Sequence, residues 1–330
     1  LTATSVTLLE EIINGPDDSL KWLAELCDDF GPRKTGSLNL EKRNSEPRLH
    51  KLNIMAIDGS PPGQVEGQVV VIRKIEELQS KYIKGRIVVT AQNWTGYRSS
   101  IKFRKLAKEA AKRGALAILV KSITPMSLYT PHTGAGARGS RIPAVCVTAE
   151  EADMIGRWYD RKKKVIIKLN IKSYESSKSV LSRNVVFEIP GSVYPEEIVL
   201  LSAHMDSWDV GQGALDDGGG MAAARAAMLA IKRLSHSDSD FKPKRTIRGI
   251  FWTAEEQGSL GSSYYFHDHS TTKERFVFAS ESDQGAFRPR NYLSILRYQG
   301  DKRHKDLIEQ IVTLLNTNGI PLRVLDDPDQ

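Results

Sequence analysis

The amino-acid sequence predicts an α/β fold whose central, mostly parallel sheet is covered by helices on both faces. Short apolar strands alternate with helical segments along most of the chain, which is typical of this class. The length of 330 residues is about twice that of an average domain, so the chain can form one large domain or two. With 40% hydrophobic and 26% charged residues, the composition excludes collagen-like, coiled-coil and wholly disordered chains.

The first half of the chain contains two groups of predicted elements. Apolar residues at helical spacing predict a helix over residues 19–30, which Gly31-Pro32 ends. From about Leu49 the elements become shorter, and a helix is expected after Thr148 because Thr148 and Glu151 have the spacing of a capping box. The other elements of this region are strands over 69–72, 86–90, 117–120 and 142–147 and a basic helix over 101–113.

The second half has longer apolar strands and follows a stretch at residues 173–182 that is rich in serine and lysine, which we interpret as a linker. Its predicted elements are strands over 198–203, 247–253 and 276–280 and a helix rich in glycine and alanine over 218–234. In sheets with helices on both faces, ligands bind at the carboxyl ends of the strands.

Acidic side chains and one histidine follow the ends of these three strands. The residues are His204 and Asp206 after the first strand, Asp216-Asp217 shortly beyond, Glu255-Glu256 after the second strand and Asp283 after the third. We expect them to meet at one edge of the sheet. Carboxylates packed together take up protons or bind cations. A histidine among carboxylates, with no cysteine nearby, favours a divalent first-row metal ion, zinc most readily.

The chemistry of these residue types suggests how they divide the work. His204 can bind a metal ion through one ring nitrogen while Asp206 accepts the N–H of the other. Asp216 can bridge two ions, because a carboxylate offers two oxygens. Glu255 and Glu256 point in different directions, so one can bind a metal ion while its neighbour takes a proton from a metal-activated water, as metal-assisted hydrolysis requires.

The runs at residues 204–220, 252–258 and 281–283 resemble the di-zinc exopeptidases of peptidase family M28. Further similarity at residues 31–37, 129–134 and 243–246 extends the resemblance over nearly the whole chain. It implies that His204 and Asp283 hold one zinc ion, that Glu256 holds the other, and that Asp216 bridges them. It also implies Glu255 as the general base. Asp206 and Asp217 are expected to position the metal ligands without binding a metal ion themselves.

The resemblance further implies a zinc-exopeptidase core formed by residues 1–45 and 176–330, with a protease-associated-like α/β insert at residues 46–175. The implied activity is zinc-dependent hydrolysis of dipeptides or short peptides with free termini, by a homodimer that is secreted or lysosomal. Members of the family supply a second zinc-ligating histidine downstream of the Asp283 position. None of the seven histidines stands in that context, so we expect segments near 43–46 and after 330 to be missing.

Several alternatives follow from other features of the sequence. A non-catalytic receptor or binding protein with the same fold would explain an incomplete metal site. The formal charge of +7 raises a nucleic-acid hypothesis, but the basic stretches are interleaved with acids and we expect neither a nucleic-acid partner nor a membrane span. Asn93-Trp94-Thr95 is a potential glycosylation site, and Cys27 and Cys146 are interpreted as separate buried thiols. His267-Asp268-His269 is interpreted as part of a helix and not as a metal site.

Overall fold

The computed structural model of the protein describes residues 50–126, 129–209, 211–283 and 294–326, together with Ser19, Trp22 and Leu23. These last three residues are helical, and the Trp22 ring lies 6.5 Å from that of Phe251 in the second half of the chain. The rest of the helix predicted over 19–30, including Cys27, lies outside the described residues, as do the segments 31–37 and 43–46.

Residues 54–171 form a six-stranded sheet with the spatial order β1-β5-β4-β3-β2-β6. The four central strands are parallel, and the two edge strands are antiparallel to their neighbours. The strands are β1 Ile54–Ala56, β2 Gly63–Ile72, β3 Arg86–Thr90, β4 Ala117–Lys121, β5 Ala144–Val147 and β6 Ile166–Ile171. The helices are α1 Glu77–Ser80, α2 Tyr97–Ile101, α3 Ala107–Lys112 and α4 Ala149–Asp160.

Both faces of this sheet are buried, which explains the nearly continuous apolar strands in the sequence. Val70 of β2 packs into one apolar cluster together with Ala110 of α3. Val71, the next residue, points to the opposite face and packs into a second cluster with Ile155 of α4. Helices therefore pack against both faces of this sheet, which lies in the region predicted as an α/β insert.

The start of α4 agrees with the sequence-based prediction. Thr148 Oγ1 accepts a hydrogen bond from the backbone N–H of Glu151 at 3.2 Å. The Glu151 carboxylate accepts from the Thr148 hydroxyl at 3.0 Å and from the backbone N–H of Asn53 at 3.0 Å, so the acid also ties this helix to the segment before β1.

The predicted continuous basic helix over 101–113 is wrong, because the structure divides it into α2, a 3₁₀ segment Lys102–Leu106 and α3. Phe103 and Leu106 are both buried in the 3₁₀ segment. Side chains three residues apart lie directly above one another in a 3₁₀ helix, so this tighter winding directs both into the core. Arg104 is buried between them, a position that sequence periodicity did not anticipate.

Residues 185–281 form a four-stranded sheet with the order β10-β8-β9-β7. Strand β8 lies between β9 and β10 and is parallel to both, whereas β7 is antiparallel to β9. The strands are β7 Val185–Ile189, β8 Tyr194–His204, β9 Arg245–Trp252 and β10 Arg275–Glu281. The helices are α5 Gly219–Ser237 and α6 Leu260–His269.

The remaining described elements are α7 Lys302–Thr317 and a two-stranded parallel sheet of β11 Ile295–Tyr298 and β12 Arg323–Asp326. The three strands predicted before the acidic residues are observed with ends that differ from the prediction by one to four residues, and the α/β class is confirmed. Among the described helices, none combines the length and the apolar character needed to cross a bilayer.

Candidate metal centre

His204 is the last residue of β8, and its side chain is buried. Its Nδ1 lies 2.9 Å from the backbone carbonyl oxygen of Asp206. A carbonyl can only accept, so Nδ1 carries the proton and Nε2 is directed toward the acids. Nε2 lies 3.0 Å from Asp216 Oδ1 and 3.9 Å from both Glu255 Oε2 and Asp283 Oδ1. The free ring nitrogen thus lies among three carboxylates from three different loops.

Asp206 connects the loop after β8 to the loop after β9. Its Oδ1 accepts from the backbone N–H of Glu255 at 2.9 Å, and its Oδ2 accepts from the backbone N–H of Glu256 at 3.1 Å. Burial alone would raise the pKa of Asp206, but hydrogen bonds with His204 and with these two N–H groups lower it. The Asp206 carboxylate lies 3.7 Å from His204 Nδ1, farther from that nitrogen than the Asp206 carbonyl oxygen at 2.9 Å.

Asp216 and Asp217 lie in the irregular segment Ala214–Gly218 and point in different directions. Asp216 faces the ring of His204 and its side chain is 46% exposed. Asp217 is fully buried and accepts from the backbone N–H groups of His204 at 3.0 Å and Gly220 at 3.1 Å. Burial, together with the charge of Asp283, raises the pKa of Asp217 to about 8.

The close packing behind Asp217 explains one of the glycines in this region. A Cβ at Gly220 would lie 2.0 Å from the carbonyl oxygen of Ser282 and 2.3 Å from Asp217 Oδ1. No other residue type leaves room for the Asp217 carboxylate and for the loop that leads from β10 to Asp283. The start of α5 can therefore approach the metal centre closely only because it begins with glycine.

Glu255 and Glu256 follow β9 after Ala254, which has a φ of +55°. Such a backbone conformation is strained for alanine and is concentrated at functional sites. Glu255 Oε1 accepts a weak hydrogen bond from Ser259 Oγ at 3.4 Å. Glu256 Oε1 is buried and has no hydrogen-bond partner among the described residues. Burial and the negative charge of Asp216 raise the pKa of Glu256 to about 8, and burial raises the pKa of Glu255 as well.

Asp283 lies in the loop after β10 with a side chain that is 38% exposed. Glu281, the last residue of β10, was not singled out from the sequence, although it lies two residues before Asp283. Desolvation and the charges of Asp283 and Glu255 raise the pKa of Glu281 to about 6. It belongs to the same acidic cluster, and its nearness to the Glu255 loop depends on the order of strands in the sheet.

The donor atoms fit a divalent metal ion. Ligand atoms of His204, Asp216 and Asp283 all lie within 4.8 Å of one another. One imidazole nitrogen and carboxylate oxygens are the donor types that zinc binds in catalytic sites. The unpaired buried oxygen of Glu256 and the raised pKa values show that the carboxylates need protons or cations to coexist. Burial lowers the pKa of His204, but hydrogen bonds with Asp206 and Asp216 outweigh this and raise it to about 12.

Other residues considered from the sequence lie away from this cluster. His269 stacks on Tyr265 with ring centroids 3.8 Å apart, and its Nδ1 lies 3.0 Å from the Tyr265 carbonyl oxygen, so its interpretation as a helical residue is confirmed. Asn93 is exposed in the loop after β3. Cys146 is a free, buried thiol, and burial raises its pKa to about 12.

Comparison with known proteins adds independent findings. The family model for "Peptidase family M28" matches residues 184–323. The chain is 36% identical to carboxypeptidase Q of Homo sapiens and 37% identical to carboxypeptidase Q of Bos taurus; each alignment covers 90% of this chain and 70% of the relative. The crystal structure of a peptidase M28 precursor from Shewanella amazonensis has a TM-score of 0.81 at 25% identity, covering 98% of this chain and 82% of that one. A zinc aminopeptidase from Bacillus subtilis shares the fold, with a TM-score of 0.59 at 20% identity over 94% of this chain and 85% of that one.

Proposed function

We propose that this chain, which belongs to peptidase family M28, is a zinc-dependent exopeptidase that hydrolyses dipeptides or short peptides with free termini. The observation that carries the proposal is the convergence of His204, Asp216 and Asp283 beside a Glu255 carboxylate that lies 3.9 Å from His204. The similarity to carboxypeptidase Q supports the exopeptidase class.

In the proposed enzyme, His204 and Asp283 would hold one zinc ion, Glu256 would hold a second, and Asp216 would be a ligand shared by both. The unpaired Oε1 of Glu256 and its raised pKa support its role as a ligand. When bound, zinc supplies a Lewis acid that polarises the scissile carbonyl and lowers the pKa of a water molecule.

Glu255 acts as the general base in this proposal. Burial and the neighbouring acids raise its pKa, which brings it closer to the neutral range where a carboxylate base is most effective. Its backbone N–H is bonded to Asp206, so the side chain emerges from a fixed point beside His204. Glu255 takes a proton from the attacking water and passes it to the leaving amine.

We also propose that residues 46–175 form an insert beside the metal centre, so that substrate enters between the insert and the peptidase core. The separate sheet with its own apolar core over residues 54–171 supports this division. From the family resemblance we further propose a homodimer that is secreted or lysosomal, with glycosylation at Asn93 supported by the exposure of that residue.

Replacing Glu255 tests the proposed function. In Glu255→Gln, zinc content should stay at two ions per chain while dipeptide hydrolysis falls about 10²- to 10⁴-fold, the usual contribution of a general base. Glu309→Gln, at a half-exposed position of α7, is the matched control and should hydrolyse at the wild-type rate. Undiminished turnover by Glu255→Gln would refute the assignment of the base. A zinc-loaded wild-type protein that hydrolyses no dipeptide would instead favour the non-catalytic binding protein.

A further inference from the structure

A side chain next to β7 holds together the loop between β9 and α6, which carries Glu255 and Glu256. Asn184 directly precedes β7, the antiparallel neighbour of β9. Its Oδ1 accepts from the backbone N–H of Thr253 at 3.1 Å, and its Nδ2 donates to the backbone carbonyl oxygen of Gly261 at 2.9 Å. Thr253 directly follows β9, and Gly261 lies in the first turn of α6. A single side chain therefore joins the two ends of this loop.

The two backbone partners require the amide group of an asparagine. One partner is a donor and the other an acceptor, so the side chain must offer both an acceptor and a donor. The contact also depends on a glycine at its far end. A Cβ at Gly261 would lie 2.4 Å from Asn184 Oδ1 and 2.5 Å from the carbonyl oxygen of Thr253. The amide can reach both ends of the loop only because residue 261 has no side chain.

The loop that Asn184 joins has a strained backbone. Ala254 and Ser259 both have a φ of +55°, a conformation that residues other than glycine keep only where the surrounding structure holds it. The N–H of Gly261 donates to the carbonyl oxygen of Thr253 at 3.0 Å, which closes the loop through the backbone. The side-chain amide of Asn184 adds two further bonds at the same place and anchors the closed loop to β7.

Asn184 and Asp206 hold different parts of this loop. Asp206 accepts from the backbone N–H groups of Glu255 and Glu256 in its middle, whereas Asn184 binds its two ends. Glu255 Oε2 lies 3.9 Å from His204 Nε2. Because both glutamate side chains start from this loop, a movement of its ends would displace both carboxylates relative to the histidine.

We propose that Asn184 is a positioning residue, which keeps the general base Glu255 and the metal ligand Glu256 in place before zinc binds. The inference rests on the proposed function, which supplies the roles of the two glutamates. A displaced Glu256 would weaken zinc binding. A displaced Glu255 would slow the attack of water without removing a contact to the bound substrate, so kcat should fall while KM stays nearly unchanged.

The test compares Asn184→Ala and Asn184→Asp with the control Asn316→Ala. The Asn316 amide makes the same pair of bonds, with the backbone N–H of Leu322 at 2.7 Å and its carbonyl oxygen at 3.1 Å. These bonds join α7 to the segment before β12, which contains no residue of the metal centre. Asn184→Asp keeps the size of the side chain and the acceptor for Thr253 but loses the donor to Gly261, so it decides the question if Asn184→Ala does not fold.

Zinc affinity is measured by competition with a chelating dye, and kcat and KM by dipeptide hydrolysis at saturating zinc. Asn184→Ala should lower both zinc affinity and kcat about 10- to 100-fold, the usual effect of removing a residue that supports a metal ligand, with KM nearly unchanged. Asn184→Asp should lower them about tenfold, because it leaves one carbonyl without its donor. Asn316→Ala should keep all three wild-type constants.

Hydrogen exchange followed by mass spectrometry provides a readout that needs neither zinc nor turnover. In the zinc-free full chain, peptides over residues 253–261 should exchange at least about tenfold faster in both Asn184 variants than in wild type, while β9 keeps its wild-type rate. Faster exchange throughout the four-stranded sheet would indicate a general loss of stability and overturn the inference, as would wild-type exchange of the loop or wild-type zinc affinity. If the wild type hydrolyses no dipeptide, the proposed function fails, while exchange and zinc affinity still decide the role of Asn184.

Discussion

Asp206 offers the sharpest test of how the metal centre is held together. Its carboxylate accepts two backbone N–H bonds, from Glu255 and Glu256, and its own carbonyl oxygen accepts from His204 Nδ1. Asp206→Asn keeps the size of the side chain and the backbone carbonyl but removes the charge and one acceptor oxygen. The substitution should therefore disturb the two glutamates while leaving the carbonyl acceptor of the His204 Nδ1–H in place.

The magnitude follows from these contacts. The asparagine oxygen can replace only one of the two bonds, and its NH₂ group then faces the other N–H. Leaving a buried donor unpaired costs about 1–3 kcal/mol, which corresponds to roughly 5- to 150-fold in an equilibrium constant. Substitutions behind metal ligands typically lower metal affinity or activity about 10- to 100-fold. We expect Asp206→Asn to weaken zinc binding and to lower kcat within that range.

Competition with a chelating dye measures zinc affinity, and dipeptide hydrolysis at saturating zinc measures kcat. Asp268→Asn is the matched control, because Asp268 is 63% exposed on α6, and both of its constants should equal those of wild type. Wild-type zinc affinity together with wild-type kcat in Asp206→Asn would refute the view that this carboxylate positions Glu255 and Glu256.

Two further predictions concern stability. Thr148→Ala removes the acceptor for the N–H of Glu151 at the start of α4 and should lower the free energy of unfolding by about 1 kcal/mol in urea titrations, whereas an unchanged midpoint would contradict the capping role. In EDTA the thermal midpoint should fall as pH rises from 5.5 to 7.5. Glu256 and Asp217 have pKa values of about 8 in the folded protein, against about 4 in the unfolded chain. The folded state therefore binds more protons than the unfolded state in this window, and it loses stability as pH rises. Excess zinc replaces those protons and should reverse the trend, and a rising midpoint in EDTA would contradict the reasoning.

The location of the candidate site could be predicted because acids that follow strand ends are visible in local sequence. The alternation of apolar strands with helices gave the ends of β8, β9 and β10, and parallel strands bring such ends to one edge. Orientation could not be predicted in the same way. Whether the Asp206 carboxylate meets a ring or two backbone N–H groups depends on the path of the loop after β9.

The acids of the metal centre divide into two kinds by their surroundings, and this division matches their proposed work. Hydrogen bonds with His204 and two backbone N–H groups lower the pKa of Asp206, so it stays charged and keeps its partners in place. Glu255 and Glu256 have raised pKa values, chiefly because burial opposes their charged forms. A carboxylate that is costly to ionise gains most from a nearby cation or an available proton. Environments that separate the pKa values of neighbouring acids distinguish a fixed anion from groups that exchange protons and metal ions. Here Asp206 is the fixed anion, and Glu255 and Glu256, whose backbone N–H groups it binds, are the exchanging groups.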